Sequence, residues 1–435
     1  MSRIDKDGKI QTLVRVKKIV PEAKQQQLKV ALKRLSYEMK QLVRREMRPD
    51  QVTKLTISYP VQTEDDFLKN DWYINQTFGF YGNMSKDDLS FLNVFFGEEG
   101  KKFLPLAGVA TRLGSGSQLT SRAYSFLPLP IETGLPAHIN GHFAIHSSRR
   151  SIWQQTSFGQ WNRVMKKHVI APAYCHFLVD QGATLTSLSE VKNWIQLLPN
   201  MTTARDDFFA SFSVDVYQHM IDCCLRTVPV PNGQSIKFES ATNCLFCTSS
   251  RNELVEGVLL ALDRKICVYP EVGLRFKKAQ IDSITFLSPQ VILDTLISAS
   301  LKLPAPVAST PFKDGSTVNV VLQYILQGPI ASDYSKLNGA PLCLTADGQL
   351  RRFDLDTQVF VDSGFDSLMP DHKHLFLHEL VSQLFNRVNS RGPIRQLTFD
   401  DVGKILPQRS DYMDRKWSSL LWKLIKVHTL IVTYS

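Results

Sequence analysis

No stretch of the sequence approaches the roughly 18 consecutive apolar residues that a membrane-spanning helix needs. The first twenty residues also lack the apolar segment of a secretory signal and are rich in basic residues instead. Cysteine is sparse, with 7 in 435 residues, which is too few for a disulfide framework. These absences predict a cytoplasmic protein without a transmembrane segment.

Motifs of known catalytic sites are missing as well. The run GSGS at residues 114–117 lacks the lysine and the wider glycine spacing of a phosphate-binding loop. The sequence contains no GxSxG nucleophile elbow, no signature of a catalytic cysteine and no compact pair of acids. We therefore expect a protein that is not an enzyme and that has no cofactor.

Three regularly spaced histidines are the first candidates for metal ligands. His138, His142 and His146 recur every four residues. On a strand such positions lie about 13 Å apart, which is too far for one ion to bridge. Hydrogen bonding along a strand is the better interpretation, and we expect no metal there.

Two closer pairs are also weak metal candidates. Cys244 and Cys247 form a CxxC pair, but the strand-like run around them favours buried thiols. His374 and His378 lie four residues apart on a predicted helix, without the second histidine of the zinc-protease motif. Surface histidines explain this pair better than a zinc site.

Positive charge is concentrated near the N-terminus. The net charge is +10, and residues 3–54 hold 15 Lys/Arg and 6 Asp/Glu, so that 15 − 6 gives +9 for this segment alone. Residues 24–48 predict one amphipathic helix. Its apolar positions are Leu28, Leu32, Leu35, Met39 and Leu42. Such a helix packs on a sheet, forms a short coiled coil or binds an anionic surface. Nucleic acid is not the expected partner, because no aromatic residues are interleaved with the charges.

Residues 126–153 are the stretch of the chain in which prolines, glycines, histidines and adjacent arginines lie closest together. The proline-rich start, residues 126–130, predicts extended chain. Gly134 allows a turn, and residues 135–145 predict one strand that is interrupted at Asn140-Gly141.

Two adjacent arginines close this run. Arg149 and Arg150 place permanent charges beside the apolar Ile152 and Trp153. A guanidinium group suits phosphate or carboxylate, so both arginines are candidates for binding an anionic group or a partner. A solvated turn or an ion pair is the structural alternative.

The order of these residues resembles a repeat of the sacsin family of giant chaperone-like proteins. Repeats of that family carry FLPLP, a short loop, TGLPVHVNGHFAL and then SSRR with an aromatic residue. This sequence has FLPLP, TGLPAHINGH and SSRRSIW in the same order. The matching central positions are Gly134, Leu135, Pro136, His138, Asn140, Gly141, His142 and Trp153. The resemblance implies a piece of a repeat that begins with an ATPase related to the ninety-kilodalton heat-shock chaperone.

The nucleotide-binding half of such ATPases has no counterpart here. Its acidic-plus-Asn helix, its Asp-x-Gly-x-Gly loop and its glycine-rich lid do not occur before residue 100. In ATPases of this class, the domain that follows sends a basic residue to the terminal phosphate. The resemblance therefore implies that role for Arg149 or Arg150, with a separate nucleotide-binding domain as a partner.

The second half of the chain contains an apparent duplication. GQSIKFESATNCLF starts at Gly233 and GQLRRFDLDTQVFV starts at Gly348, with matching Gln, basic, Phe, acidic and Thr positions. The copies lie 115 positions apart (348 − 233), which favours two duplicated domains over a solenoid. The second copy also resembles a recurring segment of the sacsin family.

These patterns predict an α+β protein of three parts. Residues 1–183 form a mixed-sheet domain that resembles the second domain of chaperone- and gyrase-type ATPases, with the basic helix at residues 24–48. Residues 190–302 and 312–435 form two duplicated α/β modules, and the second ends in a helix at residues 412–434. The expected function is a chaperone or co-chaperone scaffold without its own ATPase, whose partners are client proteins or other chaperones. The alternative is an adaptor that binds an anionic partner through its basic helix.

Overall fold

The computed structural model describes most of the chain. The described residues are 2–4, 10–12, 15–18, 22–64, 69–112, 121–185, 187–200, 206–233, 235–248, 252–361, 369–385 and 392–398, with single positions at 401, 404, 418, 419 and 422. The run at residues 114–117 and nearly all of the predicted helix at residues 412–434 lie outside this part.

Short strands and helices alternate along the described chain. The strands are β1 (Ser2–Ile4), β2 (Ile10–Thr12), β3 (Arg15–Lys18), β4 (Leu55–Glu64), β5 (Lys69–Phe78), β6 (Leu106–Arg112), β7 (Arg122–Ser125), β8 (Leu127–Glu132), β9 (His138–Gly141), β10 (Arg226–Asn232), β11 (Ser235–Ser240), β12 (Leu245–Phe246), β13 (Ile266–Cys267), β14 (Thr285–Phe286), β15 (Ala305–Pro306), β16 (Cys343–Leu344), β17 (Gln349–Arg351), β18 (Val359–Phe360) and β19 (Ile394–Arg395). The α-helices are α1 (Glu22–Val43), α2 (Lys86–Glu98), α3 (Thr156–Met165), α4 (Ala171–Ala183), α5 (Val191–Leu197), α6 (Asp207–Ala210), α7 (Phe212–Asp222), α8 (Glu253–Ala261), α9 (Pro270–Lys278), α10 (Pro289–Ser298), α11 (Gly315–Leu326) and α12 (Glu379–Ser382).

The chain folds into two compact units. The first contains Met1–Thr248 and Cys267–Thr285, and the second contains Ser249–Ile266 and Phe286–Ser435. These limits fall inside the predicted module at residues 190–302 and do not follow its boundaries. The three-part division of the chain therefore stays a prediction.

A seven-stranded sheet dominates the first unit. Its strand order is β3-β4-β5-β6-β9-β7-β8. Neighbouring strands are antiparallel except β7 and β9, which run parallel, so the sheet is mixed. The predicted α+β class with a mixed sheet is confirmed at this level.

Helices pack on both faces of β4. Successive side chains of a strand point to opposite faces, so alternate residues of β4 contact different helices. On one face Ile57, Tyr59 and Val61 are buried, and Leu28 of α1 packs against them. On the other face Ser58 donates a hydrogen bond to Asp180 of α4. The sheet thus lies between α1 and α4, with the core on both sides.

The basic helix is shorter than predicted. It ends at Val43 rather than near residue 48, and Arg45 follows with a positive φ of 60°. Leu35, Met39 and Leu42 are buried as an apolar stripe predicts, whereas Leu32 is 42% exposed. The stripe is therefore interrupted at Leu32, while Leu28 before it packs against the sheet and the C-terminal half is buried.

Helices α3 and α4 form one continuous helical run through a π-helical turn at Lys166–Ile170. Pro172 lies in the first turn of α4 and has no N–H to donate within this run. The carbonyl of His168, four residues earlier, accepts the N–H of Tyr81 at 2.8 Å instead. Trp161 of α3 is fully buried among Phe80, Phe95 and Phe103. This aromatic cluster fixes the run against the sheet.

The strand predicted at residues 135–145 is only four residues long. β9 ends at Gly141, and the N–H of Ala144 donates to the side chain of Asn162. The carbonyl of Ala144 accepts from Asn162 and from the backbone N–H of Trp153. The prediction of one strand up to residue 145 was wrong, because Asn162 of α3 takes the N–H of Ala144 and Ile145 forms only an isolated bridge with Ile152.

In the second unit, the prediction that His374 and His378 lie on one helix is wrong. A 3-10 helix covers Pro370–Leu375, and α12 begins only at Glu379. Between them Leu377 donates its N–H to the carbonyl of Phe360, so this backbone joins β18 instead of a helix. The two histidines therefore do not lie on one helix face.

The two proposed copies both place glycine in a hairpin turn. Gly233 has φ 63° in the turn between β10 and β11, where Asn232 pairs with Ser235. Gly348 has φ 76° between β16 and β17, and its N–H bonds to the carbonyl of Thr345. The turns differ in length by one residue, since Thr345 faces Gln349 across three residues. Duplication of the two segments remains a prediction.

Candidate functional site

Strand β9 lies inside the sheet and carries the centre of the sequence motif. It pairs with β6 on one side and with β7 on the other. Ile139 and Gly141 are buried, whereas His138 and Asn140 are half-buried on the opposite face. Side-chain alternation therefore places His138 and Asn140 together on one face of the sheet.

His138 has a structural environment. Its Nδ1 accepts the backbone N–H of Arg122 at 3.0 Å, and its ring stacks on Trp72 with centroids 5.6 Å apart. Burial lowers the pKa of His138 below its ordinary value, which favours the neutral ring. Accepting at Nδ1 places the ring proton on Nε2.

Asn140 holds a sharp bend between β7 and β8. Ser125 and Leu127 pair directly across the two strands, so Phe126 alone forms the bend. The backbone N–H of Phe126 donates to Oδ1 of Asn140 at 3.1 Å, and the φ of Phe126 is 61°. Phe126 and Leu127 are 60% and 61% exposed, so the bend presents two apolar side chains to solvent.

The two arginines have different environments. Arg149 has a positive φ of 57°, and its Nη2 donates to the carbonyl of Ser125 at 3.1 Å, immediately before the bend. Arg150 is exposed, and within the described part of the chain it has no hydrogen-bond or ion-pair partner. Arg149 thus fixes the bend, while Arg150 is available for a group outside the chain.

His142 lies beneath the same bend. Its Nδ1 accepts the N–H of Leu104 at 3.0 Å, and its ring meets the ring of Phe126 edge-on at 5.0 Å. Burial lowers the pKa of His142. Its carbonyl accepts the indole N–H of Trp161 at 2.9 Å, which ties the bend to the aromatic cluster.

The loop that carries both arginines is held by Asn162. This buried amide exchanges two hydrogen bonds with the backbone of Ala144 and donates a third to the carbonyl of Trp153, each at 2.8 Å. The ring of Trp153 stacks on His146 at 3.9 Å. The ends of the loop are therefore fixed, while its tip at Arg150 faces solvent.

The remaining motif residues shape the approach to β9. Gly134 forms a turn with φ 67°, Leu135 is buried, and the carbonyl of Pro136 accepts the hydroxyl of Thr111 at 3.3 Å. A Cβ atom on Gly141 would lie 3.0 Å from the ring of Phe143. These four positions serve the fold and do not contact the bend.

The structure therefore brings together Asn140, His142 and Arg149 of the predicted residues, and they meet at Phe126. Sequence reasoning did not select Phe126 itself, although it begins the FLPLP segment. It also did not assign a role to Asn162, whose position beside Trp161 in a helical pattern gave no sign of its three backbone contacts.

Metal and membrane sites have little support in the described residues. No group of three or more His, Cys, Asp or Glu there is arranged to hold a metal ion. None of the described helices is long and apolar enough to span a membrane. Cys244 and Cys247 are buried thiols, as the strand-like run around them predicts.

Fold and site together define a mixed-sheet α+β protein with an apolar surface bend that Asn140 and Arg149 hold, and with an exposed arginine next to Arg149 in the chain. The chain is distantly related to sacsin. It is 24% identical to human sacsin over 402 residues, in a match that covers 76% of this chain and 9% of sacsin. The chain thus spans about a tenth of the length of this relative. No protein-family model matches the chain, and no solved structure matches it.

Proposed function

We propose that the chain is a chaperone-related scaffold that binds client polypeptides or other chaperones in the cytoplasm and has no ATPase activity of its own. The observation that carries this proposal is the distant relationship to sacsin over 76% of the chain. The exposed apolar pair Phe126 and Leu127 supports it, because exposed apolar groups are a common feature of protein-binding surfaces.

We further propose that the first unit corresponds to the second domain of chaperone- and gyrase-type ATPases. Its mixed sheet and the basic loop after β9 support this assignment. Of the two arginines, Arg150 fits the phosphate-binding role better, because the guanidinium of Arg149 already binds Ser125. A separate nucleotide-binding domain would then supply the pocket for the base and the magnesium ligands.

Suppression of aggregation tests the scaffold proposal. A thermally aggregating model protein is heated with an equimolar amount of the chain, and light scattering is recorded at about 0.05 M and about 0.5 M salt. We expect reduced scattering at both salt concentrations and no change on adding ATP. A chain that leaves scattering unchanged at both concentrations would contradict the proposal.

Nucleotide binding gives a second measurement. The chain alone should bind no ATP in calorimetry, since one charge-assisted hydrogen bond contributes about 1.5–3 kcal/mol and micromolar binding needs about 8 kcal/mol. With a nucleotide-binding domain supplied, Arg150→Ala should lower turnover without lowering the melting temperature. Arg149→Ala should lower the melting temperature, because it leaves the carbonyl of Ser125 without its donor.

A second candidate function is binding of an anionic partner through α1. The observation that favours it is the outward position of Lys29, Lys33 and Lys40, while Leu35 and Met39 face the core. Binding through such a row depends strongly on salt. Retention on an anionic surface that is lost at about 0.5 M salt, without aggregation suppression, would favour this candidate.

A further inference from the structure

We propose that Phe126, Leu127 and Arg150 form a docking surface for a partner polypeptide segment that presents apolar side chains beside a carboxylate. We refer to these three residues as the bend surface. The proposal rests on the proposed scaffold function and specifies which part of the chain contacts the client and what chemistry the client offers.

The backbone of Phe126 gives the first argument. A φ of 61° is rare for a bulky residue, whereas glycine adopts it freely. Phe126 as a residue is 60% exposed, so burial in the core does not account for phenylalanine here. A position that suits glycine for folding but carries an exposed aromatic ring indicates that the ring serves recognition.

The second argument is that neighbouring side chains hold the bend in place. Asn140 accepts the N–H of Phe126, Arg149 donates to the carbonyl of Ser125, and the hydroxyl of Ser125 donates to the carbonyl of Phe143 at 3.4 Å. The ring edge of Phe126 rests on His142. A surface that is rigid before binding loses less entropy when a partner docks.

Charge decides which partner fits. Residues 121–131 and 140–155, which build the bend and the loop beside it, contain three arginines and no Asp or Glu. Arg122 lies opposite Glu132 at the far end of β7 and β8, away from the bend. Arg149 binds a carbonyl rather than a carboxylate, and Arg150 is exposed. The local field therefore favours an acidic group on the partner.

The edge strand excludes one mode of binding. β8 is the last strand of the sheet, and Pro128 and Pro130 lack the N–H groups that an added strand would need. A partner therefore docks through its side chains on Phe126 and Leu127, not by extending the sheet.

Labelled peptides test the proposal by fluorescence anisotropy. The probe is a short peptide of Leu and Phe interspersed with Glu, and two matched peptides replace Glu by Lys or the apolar residues by Ser. We expect saturable binding of the Glu peptide and binding at least about tenfold weaker for both others, as expected when a contact of hot-spot size is lost.

Variants assign the binding to the bend surface. Phe126→Gly should weaken binding of the Glu peptide about tenfold while the melting temperature stays unchanged or rises, because glycine relieves the positive φ. Arg150→Glu should weaken the Glu peptide and strengthen the Lys peptide. Val94→Ser, which removes a 50% exposed apolar residue of α2 in the same unit, is the control and should change neither.

Three results would overturn the proposal: no saturable binding of the Glu peptide, equal binding of the Glu and Lys peptides, or full binding by Phe126→Gly. Aggregation assays separate this failure from that of the scaffold function. If Phe126→Gly still suppresses aggregation, the bend surface is wrong and the scaffold proposal survives. If the unchanged chain does not suppress aggregation, the scaffold proposal fails whatever the peptides show.

Discussion

One buried side chain holds the loop that carries both arginines. Asn162 satisfies the N–H and C=O of Ala144 and the carbonyl of Trp153. Asn162→Ala would leave the N–H of Ala144 and the carbonyl of Trp153 without this partner in a buried site, at about 1–3 kcal/mol for each unsatisfied group. The carbonyl of Ala144 would keep its hydrogen bond from the N–H of Trp153 at 3.0 Å. Allowing for partial rehydration, we expect the free energy of unfolding to fall by about 3 kcal/mol, measured by urea denaturation.

The next residue of the same helix supplies the control. Arg163 also donates to a backbone carbonyl, that of Gln154 at 3.0 Å, but in an exposed position. Arg163→Ala should therefore lower the free energy of unfolding by less than about 1 kcal/mol, because water replaces the lost hydrogen bond. Equal losses for the two variants would show that the loop is not held by Asn162.

At the residue scale the sequence identified the right region but not its centre. Asn140, His142 and Arg149 stand out as motif residues, and all three contact the bend. The choice of Phe126 required its φ and its exposure. A positive φ at phenylalanine follows from the pairing of β7, β8 and β9, and short-range propensity predicts the opposite.

At the element scale, the helical patterns at residues 253–262 and 317–326 of the sequence agree with α8 and α11 to within two residues at each end. The errors lie where long-range contacts replace local bonding. Ala144 bonds to Asn162, and Leu377 bonds to Phe360 of β18 instead of lying in a helix.

The packing of α7 against the loop after β5 predicts a pH dependence. His219 is buried beside Gly82 and near His176, with Asp222 and Cys223 on its own helix. Burial lowers the pKa of His219 from 6.5 to about 4, and the neighbouring His176 acts in the same direction while Asp222 opposes it. The folded chain therefore keeps this ring neutral at mildly acidic pH.

The sign of the effect follows from proton binding. As pH falls below 6.5 the unfolded chain takes up a proton at His219, whereas the folded chain does so only near pH 4. The free energy of unfolding should therefore fall between these values by up to about 3 kcal/mol from this group. Urea denaturation over this range measures it, and His219→Gln should show a smaller fall. Parallel curves for both proteins would exclude His219 as the cause.

At the scale of the whole molecule, sequence patterns predicted the fold class, while the three-part division stays a prediction. Its boundary near residue 183 follows from small polar residues after α4. In the structure α4 packs against α7, with the rings of Tyr174 and Phe212 5.6 Å apart. The chain also leaves the first unit at residue 248 and returns to it at Cys267. Local patterns do not reveal such a return, because it depends on contacts between distant segments.

The contribution of Cys267–Thr285 to the first unit leads to the last prediction. Cys267–Thr285 contributes Phe276, which is 1% exposed and lies 4.5 Å from the ring of Tyr217 and 5.0 Å from that of Phe246. It also contributes Arg275, which donates to the carbonyls of Ile195 and Leu198. A fragment ending at residue 248 therefore lacks part of its own core.

We expect a fragment of residues 1–285 to unfold cooperatively on heating, followed by circular dichroism, because it contains the whole first unit. A fragment of residues 1–248 should be less stable by at least about 4 kcal/mol, since loss of a buried phenylalanine alone costs about 3–5 kcal/mol. Phe276→Ala in the longer fragment is the matched control and should account for most of that loss. If the two fragments melt together, Cys267–Thr285 is dispensable for the first unit, contrary to what the contacts of Phe276 and Arg275 predict.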